Sequence, residues 1–161
     1  MAKKELYRLG DVFKIPLADG VYGVGRILIV QSPCLFVGFY RIVLRKDESL
    51  DLAGLKISEY LLRILCGDLG FKKKEWEVIG NIPVEGIIEL PFFWGKDAMT
   101  KGLYLRKYNP PEEMPLSMTG FEDYPSNEEE IAKEGAEPDG LFGWKAAEIR
   151  LKYDLEKAGL L

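Results

Sequence analysis

Along residues 10–30, GDVFKIPLADGVYGVGRILIV, apolar and polar positions follow the two-residue period of a strand. Phe13, Ile15 and Leu17 alternate with Val12, Lys14 and Pro16, and a β-branched and aromatic run resumes at Val21, with Ala18-Asp19-Gly20 between. Asp-Gly between two such runs marks a β-hairpin, because glycine accepts the positive φ of a tight turn. Pro16 has no amide donor, so the first strand is expected to lie at a sheet edge or to end near that residue. Gly23 and Gly25 fall on one face of the second strand, where the missing side chains permit a bend or the close approach of another element. The pattern points to a small, strongly bent antiparallel sheet or barrel.

After a break at Gln31-Ser32-Pro33, Leu35 to Leu44 is the most β-prone run in the chain and reads as a central third strand. Residues 55–66 are open between periods: Ile57, Leu61 and Leu65 recur at helical spacing, while Leu62 to Cys66 reads equally well as a strand. A short helix running into an extended piece is expected there. Trp76, Val78 and Ile79 begin a fourth strand, interrupted by Gly80-Asn81 and Pro83. Ile87 to Leu90 with Phe92 to Gly95, and then Leu103 to Tyr108, supply a fifth and a sixth.

Asn109-Pro110-Pro111 stops the strand pattern, and residues 112–143 are rich in Pro, Gly and acid, as in an irregular extension, with Ser126 as N-cap of a short Glu-rich turn. From Gly143 the period becomes helical, with Trp144, Ala147, Leu151 and Leu155 on one stripe and a stop near Gly159. The expected class is therefore mainly β (α+β). Residues 1–111 would form the antiparallel β domain, and 112–161 an acidic extension and C-terminal helix packed on that same domain.

At 161 residues the chain is long enough for one real core. Its amino terminus has charges but no apolar core of signal-peptide length, and no window approaches the roughly 18 apolar residues of a membrane span, so a cytoplasmic address is expected. Cys34 and Cys66 lie in apolar contexts and read as core residues, with no metal or cofactor expected. Lys72 to Lys74, beside Glu75 and Glu77, reads as a solvated lead-in. The chain has no histidine, which removes Ser-His-Asp and Cys-His sites, His-ligated zinc and the commonest general base. Carboxylate chemistry at Glu89 with Asp97, or at Glu122 with Asp123, is what an enzyme would have left, although adjacent strand residues face opposite ways.

Charge sharpens the picture. Residues 122–139 hold eight acids and one base, a net −7, whereas the whole chain is −4, so the remainder carries +3. Concentrated acidity suits attraction to a basic protein surface. No calcium-loop spacing is present. The surface candidates for a partner are Glu122, Asp123, Glu128, Glu129, Glu130 and Glu134, together with the aromatic residues Trp94 and Tyr104.

Gly10-Asp11-Val12-Phe13, Ile15-Pro16-Leu17, Tyr22 with Gly25-Arg26, and the later Trp76 with Ile79-Gly80 resemble the immunity protein 26 family of bacterial polymorphic toxin systems, over about residues 6–90. The resemblance implies a cytoplasmic antidote, without catalytic activity, that binds a cognate toxin domain and occludes it; a nuclease is a candidate toxin because an acidic surface can occupy a basic substrate cleft, and the chain is expected to be a monomer or weak homodimer. The partner expected is a protein, with neither nucleic acid nor membrane. The competing reading is a small β-barrel adaptor or nucleic-acid-binding module, against which the net charge of −4 and the lack of a basic aromatic groove both count.

Overall fold

A computed structural model describes residues 5–56 and 58–161. In chain order the elements are β1 (Asp11–Ala18), β2 (Val21–Gln31), β3 (Cys34–Arg45), α1 (Leu52–Lys56), β4 (Tyr60–Gly67), α2 (Leu69–Lys72) and β5 (Glu77–Asn81). There follow β6 (Phe93–Lys96), β7 (Leu103–Tyr108), β8 (Phe121–Ser126), α3 (Glu128–Glu134), β9 (Glu137–Pro138), β10 (Leu141–Phe142) and α4 (Trp144–Lys157). The fold is mainly β, as the alternation along the chain implies. It divides into two compact units, residues 1–86 with 141–161, and residues 87–140.

The first unit is built on a six-stranded sheet of order β10-β4-β3-β2-β1-β5. The β1–β2 hairpin turns at Asp19-Gly20, where Gly20 has φ +69°, a conformation that costs glycine little. β5 pairs with β1 only over Asp11 to Lys14, so Pro16 has a strand partner on one side alone, where its missing amide costs no ladder bond. The ambiguity over residues 55–66 resolves into α1 and β4, with Ile57 outside the described residues.

Gly23 and Gly25 open one face of β2, and the ladder to β3 shifts register between them. A Cβ on Gly23 would overlap Leu151 of α4, and one on Gly25 would stand 2.8 Å from the rings of both Phe13 and Phe39. The bare strip is thus where α4 and the core aromatics close on the sheet. Ala147, Leu151 and Leu155 are fully buried along the α4 stripe, with Trp144 packed beside them. Phe13 stacks on Trp76 at 5.4 Å and meets Phe71 edge-on at 5.0 Å. On the opposite face Val12, Val24, Tyr40, Leu44, Leu55 and Ile82 make a second cluster, so the central strands are buried on both sides.

Three expectations need correction. The sheet is open and no barrel closes: its edges, β10 and β5, do not pair with each other, and α4 covers the face that closure would have enclosed. Residues 87–90 form no strand; Ile87 is 94% exposed, and pairing begins at Phe93, past Pro91. The segment 112–143 is not irregular throughout, since it contributes β8, α3, β9 and β10. β8, FEDYPS, escaped notice because an edge strand tolerates both its proline and its charges, which blunt it against further pairing.

The second unit holds a sheet of order β8-β7-β6-β9, with β6–β7 a hairpin and β9 parallel to β6.

The seam between β2 and α4 generates a double-mutant test. Leu151→Ala should destabilise by about 2–5 kcal/mol through the cavity it leaves, and Gly23→Ala by about 1–3 kcal/mol through overpacking. Combined, the two should cost clearly less than their sum in chemical denaturation, because the alanine methyl enters the space that Leu151 vacates.

Candidate functional site

All eight candidate residues fall within the second unit, but strand geometry separates them. Cross-strand partners Trp94, Leu105 and Tyr124 share one face of its sheet, and Phe93, Arg106 and Asp123 share the other. Trp94 and Tyr104 therefore lie on opposite faces, as do the neighbours Glu122 and Asp123. The carboxyls of that last pair do not converge, as alternation along a strand requires.

Arg106 organises the face that carries Tyr104. Its Nε and Nη2 donate to the two carboxylate oxygens of Asp123 at 2.6 and 2.8 Å, and its Nη1 donates to Asp139 Oδ2 at 3.0 Å. Tyr104 and Tyr108 donate their hydroxyls to the same Asp139 at 2.9 and 2.7 Å. The guanidinium lies 3.9 Å from the Phe121 ring centroid and 4.9 Å from that of Tyr104. Bonding to Asp123 holds the Arg106 charge more firmly than usual. Asp123 is thus half of a forked ion pair, and Tyr104 is tied through its hydroxyl; both contribute to the unit's own structure. Sequence reasoning missed Arg106 and Asp139. The alternation Tyr104-x-Arg106-x-Tyr108 was the available signal, placing a cation between two aromatic rings on one strand face.

The α3 acids are in a different state. Asn127, not Ser126, is the N-cap: its side chain accepts from the Glu130 amide at 2.9 Å, while Ser126 donates to the Glu130 carboxylate at 3.0 Å. Glu128, Glu129 and Glu130 occupy the first turn, where carboxylates offset the partial positive charge of the helix end, and Gly135 closes the other end at φ +60°. All of them, with Glu134, are exposed, and among the described residues no salt bridge reaches Glu122, Glu128, Glu129, Glu130 or Glu134. Glu122 instead accepts from the Tyr124 hydroxyl. The unit as a whole holds twelve acids and five bases, a net −7. Outside the Arg106 network, five of its acids stand on Glu122 and α3, where Lys133 is the one base of the helix, and Glu89, Glu112 and Glu113 lie elsewhere in the unit.

Elsewhere several polar groups are held by the fold. Gly10, at φ +86°, accepts from the Ile82 amide and donates to Ile27, and Asp11 accepts from the Arg8 amide and from Asn81. Arg26 donates to the carbonyls of Ile82 and Pro83 at 2.7 Å each. A groove of about 520 Å³ beside Tyr7, Val30 and Ser32 contains Asp68, which is buried and held by Tyr7 at 2.6 Å and Lys72 at 3.1 Å. Cys66 is buried, which pushes its thiol pKa up and leaves it a core side chain, while Cys34 is half-buried. Asp97 Oδ1 accepts from the backbone amides of Thr100 and Met99, which hold its carboxyl below its ordinary pKa. Among the described residues no three acidic or cysteine side chains group to hold a metal ion, and no helix is long and apolar enough to cross a membrane.

What emerges is a β-rich protein whose sequence motif serves its backbone and whose open chemistry is surface charge. Residues 8–105 match the family described as Immunity protein 26, and the chain belongs to that family. Immunity proteins neutralise toxins and are generally non-catalytic. No curated protein and no solved structure gives a significant match. Trp94 and Tyr104 lie inside the matched residues; the six acidic candidates lie beyond them.

Arg106→Met should destabilise the second unit by about 2 kcal/mol, since it strands two carboxylates; urea unfolding followed by Trp94 fluorescence would measure it. Burial, with acceptance by Asp139 adding to it and Arg106 opposing it, pushes the Tyr108 hydroxyl up to about 12. Burial likewise raises Tyr7 to about 12. A raised folded pKa gives stability that is complete below the unfolded value of about 10 and is lost as pH climbs through about 12. Melting temperature should therefore fall between pH 10 and 12, and Tyr108→Phe should make that fall shallower.

Proposed function

We propose that this chain is a cytoplasmic antidote that binds one cognate toxin domain and occludes it. Membership of the immunity protein 26 family through residues 8–105 is the observation that carries this reading. The free acids of the second unit support a finer version: the toxin presents a basic surface, such as the substrate cleft of a nuclease, and Glu122, Glu128, Glu129, Glu130 and Glu134 face it. Occlusion needs complementary shape and charge and no proton transfer, which is compatible with a chain that has no histidine. Long-range attraction of this kind raises association towards about 10⁸ M⁻¹s⁻¹ at low salt. Trp94, half-buried on the face of Glu122, belongs to the same candidate surface.

Co-expression of the chain with the toxin domain encoded beside it should rescue growth and yield a one-to-one complex; a toxin that still kills, with no complex recovered, defeats the reading. The two states of the acids separate the finer claim from stability. Replacing Glu128, Glu129 and Glu134 together by Gln should slow association and flatten its salt dependence. Asp123→Asn should instead lower the melting temperature and leave the association rate almost unchanged. The reverse assignment of effects would remove α3 from the interface.

A further inference from the structure

The tip of the β6–β7 hairpin presents a methionine to solvent on a loop with little freedom to move. Met99 is 91% exposed, so its apolar side chain stands almost wholly in water and would gain by burial against a partner. The loop beneath it is fixed from within. Asp97 Oδ1 accepts from the Met99 and Thr100 amides at 2.8 and 2.9 Å. Its backbone closes the turn twice more, the Asp97 amide donating to Gly102 at 2.8 Å and its carbonyl accepting from Lys101 at 2.9 Å. Thr100 Oγ1 accepts from the Gly102 amide at 3.3 Å, and Lys101 holds φ +61°. Lysines flank the tip on both sides, Lys96 ending β6 and Lys101 preceding Gly102, and both are exposed. The tip thus shows the outside an apolar side chain with the exposed charges of Lys96, Asp97 and Lys101 around it, a local net of +1 within a unit of net charge −7.

Methionine is enriched at protein interfaces because its unbranched thioether adapts to the shape of a pocket. A loop already fixed in one conformation loses little further entropy when it docks, so its contacts count more fully towards affinity. The flanking cations favour carboxylates around the pocket they meet. A nucleic acid would meet Lys96 and Lys101 but offer no apolar pocket for Met99. The tip also lies inside the span matched to the family, 8–105, unlike α3.

We propose that Met99 is an anchor of the toxin interface: it enters an apolar pocket on the toxin domain, with Lys96 and Lys101 facing carboxylates on the pocket rim. This rests on the toxin-neutralising reading and adds to it a second contact, opposite in charge to α3. Asp97 acts as a positioning residue for the anchor.

The test uses the full chain and the toxin domain encoded beside it, with affinity and dissociation rate read by surface plasmon resonance and folding by thermal melts. Met99→Ala should weaken binding roughly tenfold, mostly through faster dissociation, and Met99→Glu should weaken it further. Both should leave the melting temperature unchanged, because the side chain is almost wholly in water. Lys96→Glu with Lys101→Glu should also weaken binding, and Asp97→Ala should weaken it with Met99 still in place. If both Met99 variants bind within about twofold of the wild-type chain, the anchor is refuted while toxin binding stands. A wild-type chain that does not bind the toxin refutes the parent reading and the anchor with it.

Discussion

The first unit depends on one close approach, that of helix α4 onto the bare strip of β2. Leu151 reaches the sheet because Gly23 has no side chain there, and Phe13 and Phe39 close over Gly25 for the same reason. Gly23 makes room for the helix and Gly25 for the aromatic rings, and the ladder to β3 shifts register between the two. The aromatic group of Phe13, Phe71 and Trp76 then fills the space beside the helix, with Trp76 donating to the buried Glu148 at 3.4 Å. The hydrophobic effect supplies the drive, but the missing methyl groups decide where it can act.

A different economy holds in the second unit. Its small sheet gathers few large apolar groups, and one guanidinium takes up much of the organising role, bracing β7 against β8 and Asp139. The consequence reaches function. Acids that look alike in the sequence divide into those consumed by Arg106 and those left to water, and only the second kind has charge free for a partner. Asp97 repeats the lesson at the hairpin tip, where a carboxylate suited to acid–base chemistry is spent on two backbone amides and leaves the loop stiff.

The residues that relate this chain to the immunity protein 26 family are, for the same reason, poor guides to its contact surface. Gly10, Asp11 and Arg26 tie the hairpin to the segment after β5, and Trp76 fills the core. They keep the scaffold, and a scaffold can hold its form while the parts that meet a partner vary around it. The acids of α3 lie past the matched residues and the Met99 tip lies within them.

By itself the sequence determined the hairpin at Asp19-Gly20, the central strand β3, the buried stripe of α4 and the position of the acid excess. These are local matters: a turn needs a glycine, a strand shows period two, a helix shows its stripe, and charge is counted residue by residue. The tertiary structure alone decided that the sheet stays open, that FEDYPS is a strand, that Trp94 and Tyr104 part to opposite faces, and which carboxylates Arg106 neutralises. Each of those depends on which distant segment lies alongside, and an edge strand or an ion pair between residues 106 and 139 leaves almost no trace in the pattern of its own neighbours.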